Sequence, residues 1–372
     1  MKIKNSTFIE WLKKYDFSFW GACIALFLIG IVNLYSITHA GGQSSLVGLY
    51  KLQVIWFLLA LFVGIGISFV HPKIILRFAY SIYFLNCFLL ILVLVTGDKG
   101  MGATRWLALG TMRIQPSEFM KISLVLALSR WFSKVSPDRP ISLPQLIFPF
   151  LITLFPMLLI VAQPDLGTGI LILLTFLVIS FYRQLKWKTI LIIGLIGMIS
   201  GSLMYQFGLK EYQQKRIMTF LNPDADAKGS GYNAIQSKIA IGSGKLWGKG
   251  YRKSSQASLN YLPENHTDFV FSIYNEERGF IGSFFLIGLY IILLLRLIWL
   301  STVTTKMFDS IVVVGIAAIF FWHSFVNMSM VTGLLPIVGL PLPFMSYGGS
   351  SLMLFGICAG IATSISNTRN FF

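Results

Sequence analysis

Charge is what this 372-residue sequence has least of: Asp, Glu, Lys and Arg together make up 12%, about half the share found in an ordinary soluble domain. Acids are scarcer than bases, 14 against 30. A surface so poor in ionic groups cannot lie mainly in water, and the apolar richness excludes disorder, collagen and coiled coil. Cysteine is nearly missing. The three present, Cys23, Cys87 and Cys358, each lie inside an apolar run, which argues against a disulfide-stapled scaffold and a Cys-ligated metal cluster. Four histidines at no ligand spacing add no metal motif. Internal repeats and low-complexity tracts are absent as well.

What remains is hydrophobic: 55% of residues and a mean hydropathy of +0.74. A helix crossing a bilayer needs about 20 apolar residues. Runs of that kind lie at 17–37, 53–70, 76–96, 116–133, 144–162, 167–182, 188–207, 279–300, 309–331 and 349–366. The expected fold is therefore all-α: a polytopic membrane protein of about ten spans, one integral membrane domain over residues 1–372. The fourth run is the least apolar, because Glu118 and Lys121 fall in its first turns.

Lys2, Lys4, Lys13 and Lys14 precede the first run, which reads as an uncleaved signal anchor. With the amino terminus inside, the inner segments carry 15 Lys and Arg, against four (Lys51, Lys99, Arg105, Arg113) in the short outer loops. The positive-inside rule then places both termini in the cytoplasm. A long extracytoplasmic loop, 208–270, joins spans seven and eight; loops of that length escape the rule. Its bases and those of the inner face sit beside bilayer surfaces, where they meet head groups and phosphates. Nucleic acid is not implied by the pI near 9.8.

Only Glu10, Asp16, Asp138 and Asp309 of the acids fall on the inner side, so the outer half is where an active site or transport mouth is expected. Five motifs lie there. The richest is Leu262-Pro-Glu-Asn-His-Thr-Asp-Phe-Val-Phe271, followed by Glu276, Glu277 and Gly279. Asp268 stands where the loop re-enters an apolar helix: partial burial there would raise its pKa and suit it to proton abstraction, and a helix cap is the competing reading. His266 alone is more often structural than catalytic.

Arg105-Trp106 and Gln115-Pro-Ser-Glu-Phe-Met-Lys121 form the second motif, with Glu118 and Lys121 spaced to pair on one helical face. Either a structural ion pair or a cavity-facing one satisfies that spacing. Gln163-Pro-Asp-Leu-Gly-Thr168 reads as a tight outer turn. Around Gly229–Gly244 a short helix on the membrane surface fits. Together with Lys215, Arg216, Lys245 and Lys249 this segment is expected to suit a phosphate, through backbone N–H groups and cations, although the glycine spacing is not that of a Walker loop. Three prolines and four glycines between Gly333 and Gly349 imply rigid non-helical backbone, which at membrane depth is tolerated where it lines a cavity or is buried.

Gln115-Pro-Ser-Glu118, Gln163-Pro-Asp-Leu-Gly-Thr168, Pro263-Glu-Asn-His-Thr-Asp-Phe269 and Pro341-Leu-Pro-Phe-Met-Ser-Tyr-Gly-Gly-Ser-Ser351, in that order over nearly the whole chain, resemble the SEDS family (shape, elongation, division and sporulation) of bacterial cell-wall polymerases. The resemblance implies a peptidoglycan glycosyltransferase of the cytoplasmic membrane that polymerises lipid II on its outer face. It implies Asp268 as the essential acid and places Glu118 and Lys121 in a central cavity. Arg105, Lys215, Arg216, Lys238, His266 and Ser346 are the further substrate-side candidates.

A divalent cation, magnesium or manganese, is expected and no organic cofactor. The expected partners are the growing glycan strand, a class B penicillin-binding protein and other elongation-complex proteins. Leu335-Pro-Ile-Val-Gly339 and the short termini resemble the elongation branch, RodA, more than the division branch, FtsW, which more often has Thr-Lys at 337–338. A lipid-linked precursor flippase and a non-catalytic scaffold are the competing readings. The sequence shows no two-half symmetry of the kind common in transporters, and a scaffold leaves the dense polar motif at Asp268 unexplained.

Overall fold

The computed structural model describes residues 16–40, 48–100, 103–109, 112–136, 140–203, 211–222 and 229–368. Each of the ten apolar runs is a helix: α1 Phe17–Ala40, α2 Leu49–Ser68, α3 Pro72–Thr96, α4 Pro116–Phe132, α5 Leu143–Ala162, α6 Leu166–Tyr182, α7 Trp187–Leu203, α11 Val270–Val303, α12 Met307–Thr332 and α13 Gly349–Thr368. Between α7 and α11 the long loop holds three more, α8 Glu211–Leu221, α9 Ser230–Ser243 and α10 Ser255–Ser258. Among the described residues, seven helices are long and apolar enough to cross a membrane, and α6 and α7 are shorter apolar ones. The chain is thus a multi-pass membrane protein.

The least apolar run is the most central helix. In α4, 14 of 17 residues are buried, enclosed by α3, α5, α6, α12 and α13. A charged helix survives in hydrocarbon only where protein surrounds it, so Glu118 and Lys121 explain the position of α4. By contrast, α7 is apolar all round and largely exposed, as a lipid-facing helix should be. Small residues set the closest contact, between α2 and α13: a Cβ on Gly64 would lie 2.7 Å from the Gly356 carbonyl oxygen, and one on Gly360 2.4 Å from that of Gly64. Backbones this close gain the van der Waals contact that holds helices together in lipid.

Two features were not expected. Residues 97–115 contain a three-stranded antiparallel sheet, β1 Asp98–Gly100, β2 Ala103–Leu109 and β3 Met112–Ile114. Strands of three to seven residues carry too few alternations to stand out as a period of two. The second is that α11 begins at Val270, nine residues before the expected span. Its first part, Val270–Glu277, is buried, and Gly279 breaks the helix with φ +66°. Loop backbone fills that break: the Phe280 amide donates to the Lys245 carbonyl (2.8 Å) and the Ile281 amide to that of Leu246 (3.2 Å). The expected surface helix is also present, as α9, but it packs on α11 and α12. There the Ser237 hydroxyl donates to the Val331 carbonyl at 2.6 Å and lies 2.7 Å from that of Ser272. At the opposite end, Arg296 of α11 binds Asp16 before α1 at 2.7 Å.

Candidate active site

The polar motifs, up to 235 residues apart in sequence, converge at one end of the bundle. Gln115 donates from its amide nitrogen to Asp165 (3.3 Å), and the Ser117 hydroxyl donates to the same oxygen (3.4 Å). The Gln115 backbone amide donates to the Ser350 hydroxyl (3.1 Å). Asp165 also caps α6 by accepting from the Thr168 amide, which is the turn chemistry its motif suggested. A Cβ on Gly167 would meet the Val338 carbonyl oxygen at 2.6 Å. The Ser346 hydroxyl donates to the Thr267 carbonyl (2.6 Å) and accepts from the Leu342 amide (2.8 Å), while the Tyr347 amide donates to the His266 carbonyl (2.9 Å). Gln53 on α2 completes the knot, donating to the Ser346 carbonyl and accepting from the Gly348 amide.

Asp268 stands at the centre of this knot. Its backbone carbonyl accepts from Asn327 (3.0 Å), whose amide nitrogen also donates to the Leu340 carbonyl (2.7 Å). The half-buried carboxylate lies over Gly339, with Oδ2 3.2 Å from where a Cβ would stand. Glycine is favoured twice at 339, by that approach and by its φ of +72°. The cap reading does not describe the geometry: Phe269 is the N-cap of α11, with no side-chain cap bond. Among the described residues, none donates a hydrogen bond to the Asp268 carboxylate. Desolvation, reinforced by the charge of Glu264 and more weakly of Asp165, pushes its pKa up to about 6, while Arg216 and Arg105 pull the other way. The acid is poised near neutrality because it is partly desolvated and lies near the like charge of Glu264.

The other candidates divide into two groups. Arg105 on β2 donates to the backbone carbonyls of Gln163 and Pro164, and Arg216 on α8 to that of Ile337 at 3.3 Å; both guanidinium charges reach the Asp268 carboxylate. Arg216 and Lys238 line one cleft with Gly333, Pro336 and Ile337, both exposed. Lys215 is on α8 too, with its side chain outside the described residues.

Ser346 and the Glu118–Lys121 pair, by contrast, are buried. Lys121, 1% exposed, lies 2.7 Å from Glu118 and 2.8 Å from His323 Nε2, within the bundle. His266 rests its ring beside Tyr347 and its Nδ1 is buried without a partner; desolvation lowers its pKa, with Glu264 opposing. The sequence reading missed Asp165, Asn327 and His323 as members of the knot. Asn and His four apart in an apolar helix, with Trp322 between apolar neighbours, were the available signal.

Among the described residues no group of three His, Cys, Asp or Glu side chains is placed to hold an ion.

Fold and site together define a polytopic membrane protein with a half-buried carboxylate and a cationic cleft lined by Arg216 and Lys238 at one end of its bundle. A family profile described as "Cell cycle protein", covering FtsW, RodA and SpoVE, matches residues 16–370. Peptidoglycan glycosyltransferase MrdB of Escherichia coli K12 is 36% identical over 93% of this chain and 92% of its own. Stage V sporulation protein E of Bacillus subtilis is 35% identical over 94% of this chain and 96% of its own. The Rod shape determining protein RodA of Thermus thermophilus superposes with a TM-score of 0.71 at 29% identity, over 96% of this chain and 98% of that one. A chain from a peptidoglycan synthase complex coordinating polymerization and crosslinking gives 0.81 at 30%, with the same coverage. The chain belongs to the FtsW/RodA/SpoVE family, the SEDS proteins.

Proposed function

We propose that this protein is the elongation-type peptidoglycan glycosyltransferase of its cell, joining lipid II units into β-1,4 glycan strands at the outer face of the cytoplasmic membrane. The donor's disaccharide is α-linked to undecaprenyl pyrophosphate and the product is β-linked, so one displacement with inversion suffices. That needs a base on the acceptor hydroxyl and positive charge on the leaving pyrophosphate, with no covalent intermediate.

Asp268 is the base. A carboxylate near pKa 6 is ionised at neutral pH yet strong enough to accept the proton of the acceptor's 4-hydroxyl as the bond to the anomeric carbon forms. Arg216, Lys238 and Arg105 hold the pyrophosphate. Two of these are exposed toward the cleft beside the 336–339 segment, and Arg105 and Arg216 both act on Asp268 electrostatically. The single observation carrying this reading is that half-buried carboxylate, given no hydrogen bond by the described residues and within the electrostatic reach of two guanidinium groups.

Both termini lie in the cytoplasm in this reading, and the site opens outward. A class B penicillin-binding protein is the expected crosslinking partner. Purified wild type and Asp268→Asn are compared for polymerisation of labelled lipid II, each with a transglycosylation-inactive partner present. Polymer from the wild type alone is the expected result; equal polymer from both removes Asp268 as the base. Silence from both, with a divalent cation supplied, favours the flippase.

A further inference from the structure

The Glu118–Lys121 pair has a third member that ties it to the site. His323 on α12 is fully buried. Its Nδ1 lies 3.1 Å from the Pro341 carbonyl oxygen and its Nε2 2.8 Å from the Lys121 ammonium. A carbonyl can only accept and an ammonium can only donate, so the proton must be on Nδ1 and the lone pair on Nε2. One turn further along α12, Asn327 fastens the Leu340 and Asp268 carbonyls. The same face of α12 therefore grips consecutive carbonyls, 340 and 341, of the segment whose Gly339 lies under the Asp268 carboxylate. Ser346 closes the segment's far end on Thr267, the residue before the acid. The ring sits edge-on to Phe355 at 5.2 Å, a favourable aromatic packing that supports its orientation.

We propose that His323 is a positioning residue: bridging Lys121 and the Pro341 carbonyl, it couples the buried Glu118–Lys121 pair to the 339–346 segment and so fixes where the Asp268 carboxylate stands. Lys121 orients the ring by occupying Nε2, Glu118 orients Lys121, and the ring's only proton is thereby directed at Pro341. The ion pair acts on the site through this imidazole without touching substrate. The inference rests on Asp268 being the base, and the tests below separate the two.

His323→Phe keeps the ring's bulk against Phe355 and removes both hydrogen bonds; His323→Gln keeps a donor and an acceptor in one side chain. Full-length variants in detergent are compared for kcat, KM for lipid II, and backbone hydrogen exchange across 339–346. His323→Phe should lower kcat about tenfold, equivalent to about 1.4 kcal/mol in the barrier, leave KM within about twofold, and raise exchange in that segment. His323→Gln should recover most of kcat and slow exchange again. Wild-type kcat and exchange in His323→Phe overturn the proposal, as does equal loss in both variants with the segment's exchange unchanged.

Should His323→Phe not fold, nitrogen-15 histidine spectra of the wild type decide. A ring protonated on Nδ1 alone supports the bridge; a proton on Nε2 overturns it. If Asp268→Asn proves fully active, the base assignment fails, while exchange and tautomer still judge His323.

Discussion

Two carboxylates eight residues apart, Asp268 and Glu276, are both withdrawn from water, and their surroundings drive them in opposite directions. Glu276 is wholly buried at 0% exposure and saturated with donors. The Lys249 ammonium lies at 2.5 Å, the hydroxyls of Ser254 and Ser255 both donate to it, and so do the amides of Ser255 and Gln256. Both of its oxygens are met: Lys249 and Ser255 donate to one and Ser254 to the other. Asp268 receives no such bond among the described residues and is pushed up to about 6. A satisfied buried acid is a fastener, and an unsatisfied one is available for chemistry. Glu276 pins the 249–256 loop beside the break at Gly279; Asp268 is left to take a proton.

The hardest way to break the contrast is to remove each charge and ask what is lost. Asp268→Asn should cut polymerisation about 10²–10⁴-fold, the span typical of a general base, with folded yield intact. Glu276→Ala should do the reverse. Emptying a buried, multiply bonded charge site costs about 3–5 kcal/mol, and the lower end applies because the Lys249 side chain is 32% exposed. Its expected signature is a fall in detergent Tm together with wild-type kcat per folded molecule. Were Glu276→Ala stable and inactive, the division of labour would be inverted.

How far the sequence foresaw this contrast follows from what each feature is made of. The ten apolar helices were legible because long apolar runs are a one-dimensional signal, and Glu118 with Lys121 marked α4 as the helix to be enclosed. Asp268 was legible as a candidate from its polar neighbours, and Arg216 and Arg105 as cationic candidates from the outer loops they occupy in the sequence. Glu276 looked like one more polar residue after the motif, since its partners lie 20–27 residues back in a loop and only folding brings them together. His323 was hidden for the same reason: Lys121 is 202 residues away. The sheet at 98–114 and the start of α11 at Val270 depend on tertiary contacts, the latter on loop carbonyls filling the break at Gly279.

A gentler test varies pH. If Asp268 must be ionised to act, kcat/KM falls about tenfold per pH unit below about pH 6 and levels off above it. Arg216→Ala removes one cation that holds the acid down, so the midpoint should move upward, by less than about one unit since the side chain is exposed. Glu264→Gln removes a like charge and should move it downward. A midpoint indifferent to both would mean that the carboxylate being titrated is not Asp268.

The smallest effect expected concerns stability, and it too separates the two acids. A folded-state pKa raised from 3.8 to about 6 means the folded chain binds the proton more tightly than the unfolded one. The stabilisation Asp268 gives is complete below about pH 4 and disappears as pH rises through about 6. At neutral pH its charge opposes folding, so Asp268→Asn should raise Tm slightly, by about 1 kcal/mol or less in stability once partial exposure is allowed for. Glu276 has the opposite sign: its charge is bonded by Lys249, Ser254 and Ser255, so removing it costs stability. Thermal melts of Asp268→Asn and wild type at pH 5 and pH 8 check this. A Tm gain at pH 8 that shrinks by about half at pH 5 identifies Asp268 as an acid held in place against the interest of the fold, whereas a loss at pH 8 would mean that its charge is bonded after all.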